Sequence, residues 1–255
     1  TDIEQLDKLL NGGFRKKAIH CFNGRVNIGK SAILCSLASC FLKQGRNVIY
    51  ISGEMSEDMI SKRIDANMLD IAVNDLNKNL DKKVYLSKIK EIFGKTQGKL
   101  IVKEYPTKSA STNTIKHHLE KLKRKDFRID MVIVDYGDLL RPISAQKEKR
   151  IELESIYEEM RAIAQIYGCP VWTASQTNRS GLNAEVITME SISEAFNKCF
   201  VADFIFSLSR TGTDKQQNTG RIFIAKNRNG PKGEYKCRYY GAQCKFVDPI
   251  KNEVI

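Results

Sequence analysis

Residues 24–31 read Gly-Arg-Val-Asn-Ile-Gly-Lys-Ser, meeting every fixed position of the pattern GxxxxGK[ST]. An apolar run at 18–22 precedes this loop and an amphipathic run at 30–43 follows it. No other feature constrains the fold as much. The run before the loop must be a buried strand, and the run after it a helix packed on the sheet. The loop between them must turn its backbone N–H groups toward a phosphate. The helix N-terminus adds a favourable partial charge there. In this context Gly24, Arg25, Val26, Asn27, Ile28, Gly29, Lys30 and Ser31 are candidate ATP-binding residues. Lys30 would reach the β- and γ-phosphates and Ser31 would ligate Mg2+. The competing reading is a glycine turn that only caps the helix.

The rest of the chain repeats the same alternation. Apolar runs at 18–22, 48–52, 100–103, 131–135, 171–175 and 204–208 are short and nearly continuous, as strands covered on both faces are. Helical patterns lie between them. In 30–43 the residues Ile33, Leu34, Leu37, Ala38, Phe41 and Leu42 form one stripe, and in 150–167 Ile156, Met160, Ile163 and Tyr167 do. Ser56 before Glu57 and Asp58 is an N-cap with an acidic first turn. Gly168 can end the helix before it. Residues 221–227 and 234–240 form a C-terminal β-hairpin around Asn229-Gly230-Pro231. The fold class is therefore α/β, a mostly parallel central sheet flanked by helices. One domain spans 1–255, with 1–17 as a linker leading into the core and 70–98 as a lysine-rich helical insertion.

Strand ends supply the other candidates. Asp135 closes the run 131–135, where a carboxylate can join Ser31 on Mg2+. Glu54 follows the strand 48–52 and can polarise a water against the γ-phosphate. Gln176 ends the strand 171–175, where an amide can sense that phosphate. Lys226 and Arg228 alternate before the Asn229-Gly230 turn; two cations so placed can stabilise transition-state charge or be ordinary edge charges. Tyr240 and Phe246 offer faces to an adenine, with core packing as the alternative.

Lys and Arg number 42 against 30 Asp and Glu, a net charge of +12. This points to a polyanionic partner, nucleic acid before membrane. No run of eighteen apolar residues exists to span a membrane. The first residues lack a signal-peptide pattern, and the seven cysteines form no CxxC pair. Both features are expected of a cytoplasmic protein with reduced thiols. His20 falls in a strand and is expected to be a hydrogen-bonded core residue; His117 and His118 are expected on a helix surface.

Taken in order, these motifs resemble the DnaB-like family of hexameric replicative DNA helicases, and among them the T-even-type phage helicases. The matching residues are Gly12-Gly13-Phe14, 24–31, Gly53-Glu54-Met55-Ser56 with Arg63 nine residues beyond Glu54, 62–70, Ile133-Val134-Asp135-Tyr136, Ser175-Gln176-Thr177-Asn178-Arg179, and Ala225-Lys226-Asn227-Arg228-Asn229-Gly230-Pro231. The resemblance implies a RecA-like P-loop NTPase core. It implies a ring, usually of six subunits, with ATP bound between neighbours and contacted by Arg63. It makes Glu54 the catalytic base, Asp135 a magnesium carboxylate and Gln176 a sensor. Lys226 and Arg228 would reach the ATP of the adjacent subunit, Arg228 as the finger.

The resemblance also implies single-stranded DNA in the ring channel, held by loops after Asp135 and after Gln176. These contain Arg141, Lys147, Lys149 and Arg150, and Asn178, Arg179, Ser180 and Lys198. Neither loop has an aromatic for stacking, so backbone tracking is expected. Primase and a helicase loader are implied partners, and the host cytoplasm is the implied location if the protein is phage-encoded. Two departures stand out. The sequence begins almost at the core and is expected to lack the family's N-terminal domain, and Asp135-Tyr136-Gly137-Asp138 replaces the usual Asp-Tyr-Leu, adding the carboxylate of Asp138. The rival functions are a RecA/RadA-like recombinase that forms filaments on DNA and a KaiC-like regulatory ATPase. A small-molecule P-loop kinase lacks support, since no segment resembles a lid.

Overall fold

The computed structural model describes residues 3–76, 81–95, 98–144, 147–176, 201–228 and 230–249. Among these described residues nine strands form one sheet, in the order β3-β2-β4-β5-β1-β6-β7-β8-β9. They are β1 Ile19–Gly24, β2 Val48–Ser52, β3 Leu100–Glu104, β4 Met131–Asp135, β5 Val171–Gln176, β6 Phe204–Ser209, β7 Thr219–Asn227, β8 Gly233–Tyr240 and β9 Lys245–Val247. The first six are mutually parallel, and the last three continue the sheet as an antiparallel meander. The expected hairpin is thus β7 and β8, and β9 adds a strand that sequence patterning did not reveal.

Strand alternation divides the core in two. Phe22, Tyr50, Ile133, Trp172 and Phe206 point to one face, where they meet Ile33, Leu34 and Leu37 of α2 (Lys30–Lys43) and Ile60 and Ile64 of α3 (Glu57–Leu69). Cys21, Ile49, Ile51, Val132 and Val134 point to the other. There they meet Ile115 and Leu119 of one helix, Thr112–Lys123, and Ile156, Met160 and Ile163 of a second, Lys149–Tyr167. The continuous apolar runs needed both faces covered, and both are. β3 is the exception: as an edge strand it is only half-buried. Ser56 caps α3 by accepting from the Met59 N–H at 3.3 Å, and Gly168, at φ 66°, ends the Lys149–Tyr167 helix.

The leading residues are more structured than a linker. Glu4–Leu9 forms a short helix (α1) whose Leu6, with Ile3 and Leu10, is buried in the core. The lysine-rich stretch holds two helices, Val73–Leu76 and Lys82–Lys95.

Two histidine expectations need correction. His20 is fully buried, yet neither ring nitrogen makes a hydrogen bond. Its ring lies instead between Trp172 and Phe204, 4.7 Å from each. Burial holds it neutral, with its pKa lowered to about 3. His117 is exposed as expected, but His118 is half-buried. The six cysteines among the described residues are buried and unbridged, the behaviour of small hydrophobes.

Candidate functional site

The parallel strands end together along one edge of the sheet, where ligands of open α/β folds bind. Gly24, the last residue of β1, is in register with Gln176, the last of β5. From Gly24 the chain turns through Asn27 at φ 58° and Gly29 at φ 109° into α2. Space constrains both glycines, and torsion constrains Gly29 as well. A Cβ on Gly24 would lie 2.7 Å from Ile28 Cγ2, and one on Gly29 would lie 3.0 Å from the Tyr239 hydroxyl. Lys30 Nζ donates to the carbonyls of Gly24 (3.1 Å) and Arg25 (2.7 Å). Burial lowers its pKa, against the pull of Asp135, Glu54 and Asp138.

Three carboxylates surround this lysine. Asp135 ends β4 in register with Ser52 and is 2 % exposed. Its Oδ2 accepts from the Tyr50 hydroxyl at 2.7 Å, and its Oδ1 has no hydrogen-bond partner. Burial raises its pKa, and the nearby hydroxyls of Tyr50 and Ser31 offset part of that rise. Glu54 is exposed at the lip of the cleft. Its turn is fixed on both sides: Gly53 N–H donates to the Asp135 carbonyl at 2.9 Å, and Ser52 Oγ bonds both the carbonyl (2.6 Å) and the N–H (2.9 Å) of Met55. Asp138 is held below by Tyr157 (3.1 Å) and Ser175 (3.3 Å).

The cleft has a volume of about 520 Å³ and is lined by Lys30, Ser31, Glu54, Arg63, Asp135, Tyr136, Gln176 and Tyr239, among others. A buried carboxylate oxygen lacking a partner, beside a serine hydroxyl, is a donor set that suits a hard divalent cation. The glycine-lined loop suits a phosphate chain. These residues therefore fit Mg2+ and a nucleoside triphosphate.

The pattern of the DnaB-like helicase C-terminal domain matches residues 1–248. The chain belongs to that family. It is 34 % identical over 244 residues to the DnaB-like replicative helicase of Enterobacteria phage T4, a match covering 93 % of this chain and 51 % of that protein. It is 25 % identical over 256 residues to the replicative DNA helicase DnaB of Geobacillus stearothermophilus, covering 97 % and 56 %. Among solved structures, a DnaB-like replicative helicase described with its interactions with primase superposes with a TM-score of 0.82 at 20 % identity, over 98 % of this chain and 61 % of that one. This DnaB-like domain thus has the RecA-like fold expected of it. It spans about half the length of the curated relatives it matches.

The DnaB-like domain brings residues of the 24–31 loop, Glu54, Arg63, Asp135 and Gln176 into one cleft. Lys226 and Arg228 lie elsewhere. Asn227 pairs with Phe204 at the start of β6, so both cations sit at the end of the sheet opposite Gly24. There Arg228 Nη1 is 2.9 Å from Asp203 Oδ1. Arg141, Lys147, Lys149 and Arg150 are exposed beyond β4. Asn178, Arg179, Ser180 and Lys198 lie outside the described residues.

Sequence reading missed Tyr239, which packs against Gly29 at the cleft, carries the Arg210 guanidinium 4.3 Å over its ring, and stacks on Phe246 at 4.3 Å. Phe246 is a core residue, 1 % exposed, and Tyr240 does not line the cleft. Tyr50 was read only as part of an apolar strand. Among the described residues, no helix is long and apolar enough to cross a membrane.

Proposed function

We propose that this domain is the motor of an ATP-dependent replicative DNA helicase, coupling ATP hydrolysis at subunit interfaces to translocation on single-stranded DNA and unwinding of duplex. The observation that carries the reading is the unpartnered Oδ1 of buried Asp135 beside Ser31, at the mouth of a glycine-lined loop. Lys30 and the loop N–H groups hold the triphosphate, Arg63 contributes from α3, and Ser31 and Asp135 hold Mg2+. When bound, the metal neutralises charge developing on the phosphate oxygens. Glu54 accepts a proton from the attacking water, and Gln176, whose amide donates to the Tyr136 hydroxyl at 3.0 Å, senses the γ-phosphate. Lys226 and Arg228 complete the site of an adjacent subunit, in a ring expected to have six.

Single-stranded DNA runs through the channel against Arg141, Lys147, Lys149, Arg150, Asn178, Arg179, Ser180 and Lys198. A net charge of +12 suits sequence-independent contact with phosphates. Primase and a helicase loader are the proposed partners, and the host cytoplasm the proposed location for a phage-encoded protein. The test is ATPase activity of assembled protein with and without single-stranded DNA, followed by unwinding of a forked duplex. Stimulation by DNA and displacement of one strand are expected. ATP turnover indifferent to DNA at low salt would overturn the motor.

A further inference from the structure

Tyr50 sits in the middle of β2 in the run Val-Ile-Tyr-Ile-Ser and is completely buried. On its face of the sheet it lies between Val48 and Ser52 along the strand and between Val102 and Ile133 across it. A buried tyrosine hydroxyl needs a partner, and the sheet register supplies one. Tyr50 pairs directly with Ile133 of β4, so Asp135, two residues on, is its diagonal neighbour on the same face. Such diagonal pairs lie within reach of an aromatic side chain. The hydroxyl donates to Asp135 Oδ2 at 2.7 Å.

This bond divides the carboxylate between two tasks. Oδ2 is committed to Tyr50, and Oδ1 remains as the buried oxygen with no partner in the protein. An aspartate carboxylate at a strand end can turn about both Cα–Cβ and Cβ–Cγ and has two equivalent oxygens to offer a metal. Fixing one of them fixes the rotation of the group and so the direction of the other. We infer that Tyr50 is a positioning residue: its hydroxyl locks the Asp135 side chain so that Oδ1 alone is presented to the metal held with Ser31. The inference rests on the reading of Asp135 and Ser31 as the Mg2+ site. Outer partners of metal ligands act in this way, and losing one typically costs 10–100-fold in metal affinity.

The test is Tyr50→Phe, which keeps the ring and removes only the hydroxyl, made in the whole protein. Binding of a fluorescent ATP analogue is measured with excess EDTA and then across a Mg2+ titration, with Tm recorded alongside. The expected result is unchanged affinity in EDTA and a Mg2+ midpoint raised by about tenfold or more, with turnover recovered as Mg2+ rises. A general packing defect would instead weaken binding equally with and without metal. An unchanged Mg2+ midpoint in folded Tyr50→Phe overturns the role given to Tyr50. If the unaltered protein itself shows no Mg2+-dependent gain in binding, it is the metal-site reading that fails.

Should Tyr50→Phe not fold, Tyr50→Leu and Tyr50→Met also fill the slot without a hydroxyl and are read in the same two titrations. Each should show the raised Mg2+ midpoint with unchanged affinity in EDTA, and an unaltered midpoint in either folded variant overturns the role given to Tyr50.

Discussion

Arg228 Nη1 and Asp203 Oδ1 lie 2.9 Å apart at the end of the sheet away from the phosphate loop. Asp203 is 4 % exposed and also receives Arg161 on the same oxygen (2.9 Å) and the Ile19 N–H on the other (3.1 Å). Arg161 and the backbone can therefore keep this carboxylate paired when Arg228 moves. Arg228→Ala should leave nucleotide binding intact and lower turnover of assembled protein about a thousandfold. Mixing it with Lys30→Ala should restore turnover above that of either variant alone, because one interface then has both groups. No recovery in mixed assemblies would show that Arg228 does not act on a neighbouring site.

Asp203→Ala should be costly for stability rather than for chemistry. It strips the charge partner from Arg161 and leaves the Ile19 N–H without its acceptor. Breaking a buried pair from one side costs about 3 kcal/mol, read as a shift in the denaturant midpoint. A loss of a few tenths would mean that Asp203 holds nothing together.

Gly29→Ala tests the loop geometry. The added Cβ meets Tyr239 at 3.0 Å, and the residue must hold φ 109°. Such strain costs about 1–3 kcal/mol, so nucleotide affinity should fall about tenfold or more. Tyr239→Ala in the same chain relieves the clash but not the torsion, and should recover only part of the loss.

His20 makes stability depend on pH with a definite sign. Its pKa is about 3 folded and 6.5 unfolded. Below pH 6.5 the unfolded chain binds the proton and the folded chain does not. Stability is then complete above pH 6.5 and declines by about 1.4 kcal/mol per unit as pH falls toward 3. His20→Phe, stacking in the same slot between Trp172 and Phe204, should flatten that slope. Asp214 adds a second, lower window. Burial alone would raise its pKa, but bonds from Thr211 and Arg221 outweigh this and hold it at about 2. Its contribution is present above the unfolded value near 3.9 and fades as pH drops to 2.

Replacing Arg141, Lys147, Lys149 and Arg150 by alanine should weaken single-strand binding uniformly across sequences. For every cation that pairs with a phosphate, its removal should lower the slope of log affinity against log salt by about 0.7. An unchanged slope would remove these residues from the DNA path.

Much of this was legible because the signals were local. The 24–31 loop needs only its own glycines and flanking periodicity, and strands covered on both faces announce themselves as apolar runs. Asp135 and Gln176 were found by being polar residues at the ends of such runs. Tyr239 was not, because its place at the cleft depends on β8 returning to Gly29 from 210 residues away. Tyr50 was hidden by its setting, since an aromatic in a buried strand looks like packing until register gives its hydroxyl a partner. His20 failed differently: burial was read correctly, but stacking between two aromatics replaced the expected hydrogen bonds. β9 is only three residues, too short for alternation to register.

The placement of Arg228 has a consequence for polarity. A molecule that carries a cradle on one flank and the cation that would finish a cradle on the other is a lock and a key set back to back. No copy can turn its own key. If the key fits, copies must follow one another in a single sense, each served by the molecule behind and serving the one ahead, and a mirror-like pair facing each other would leave both locks open.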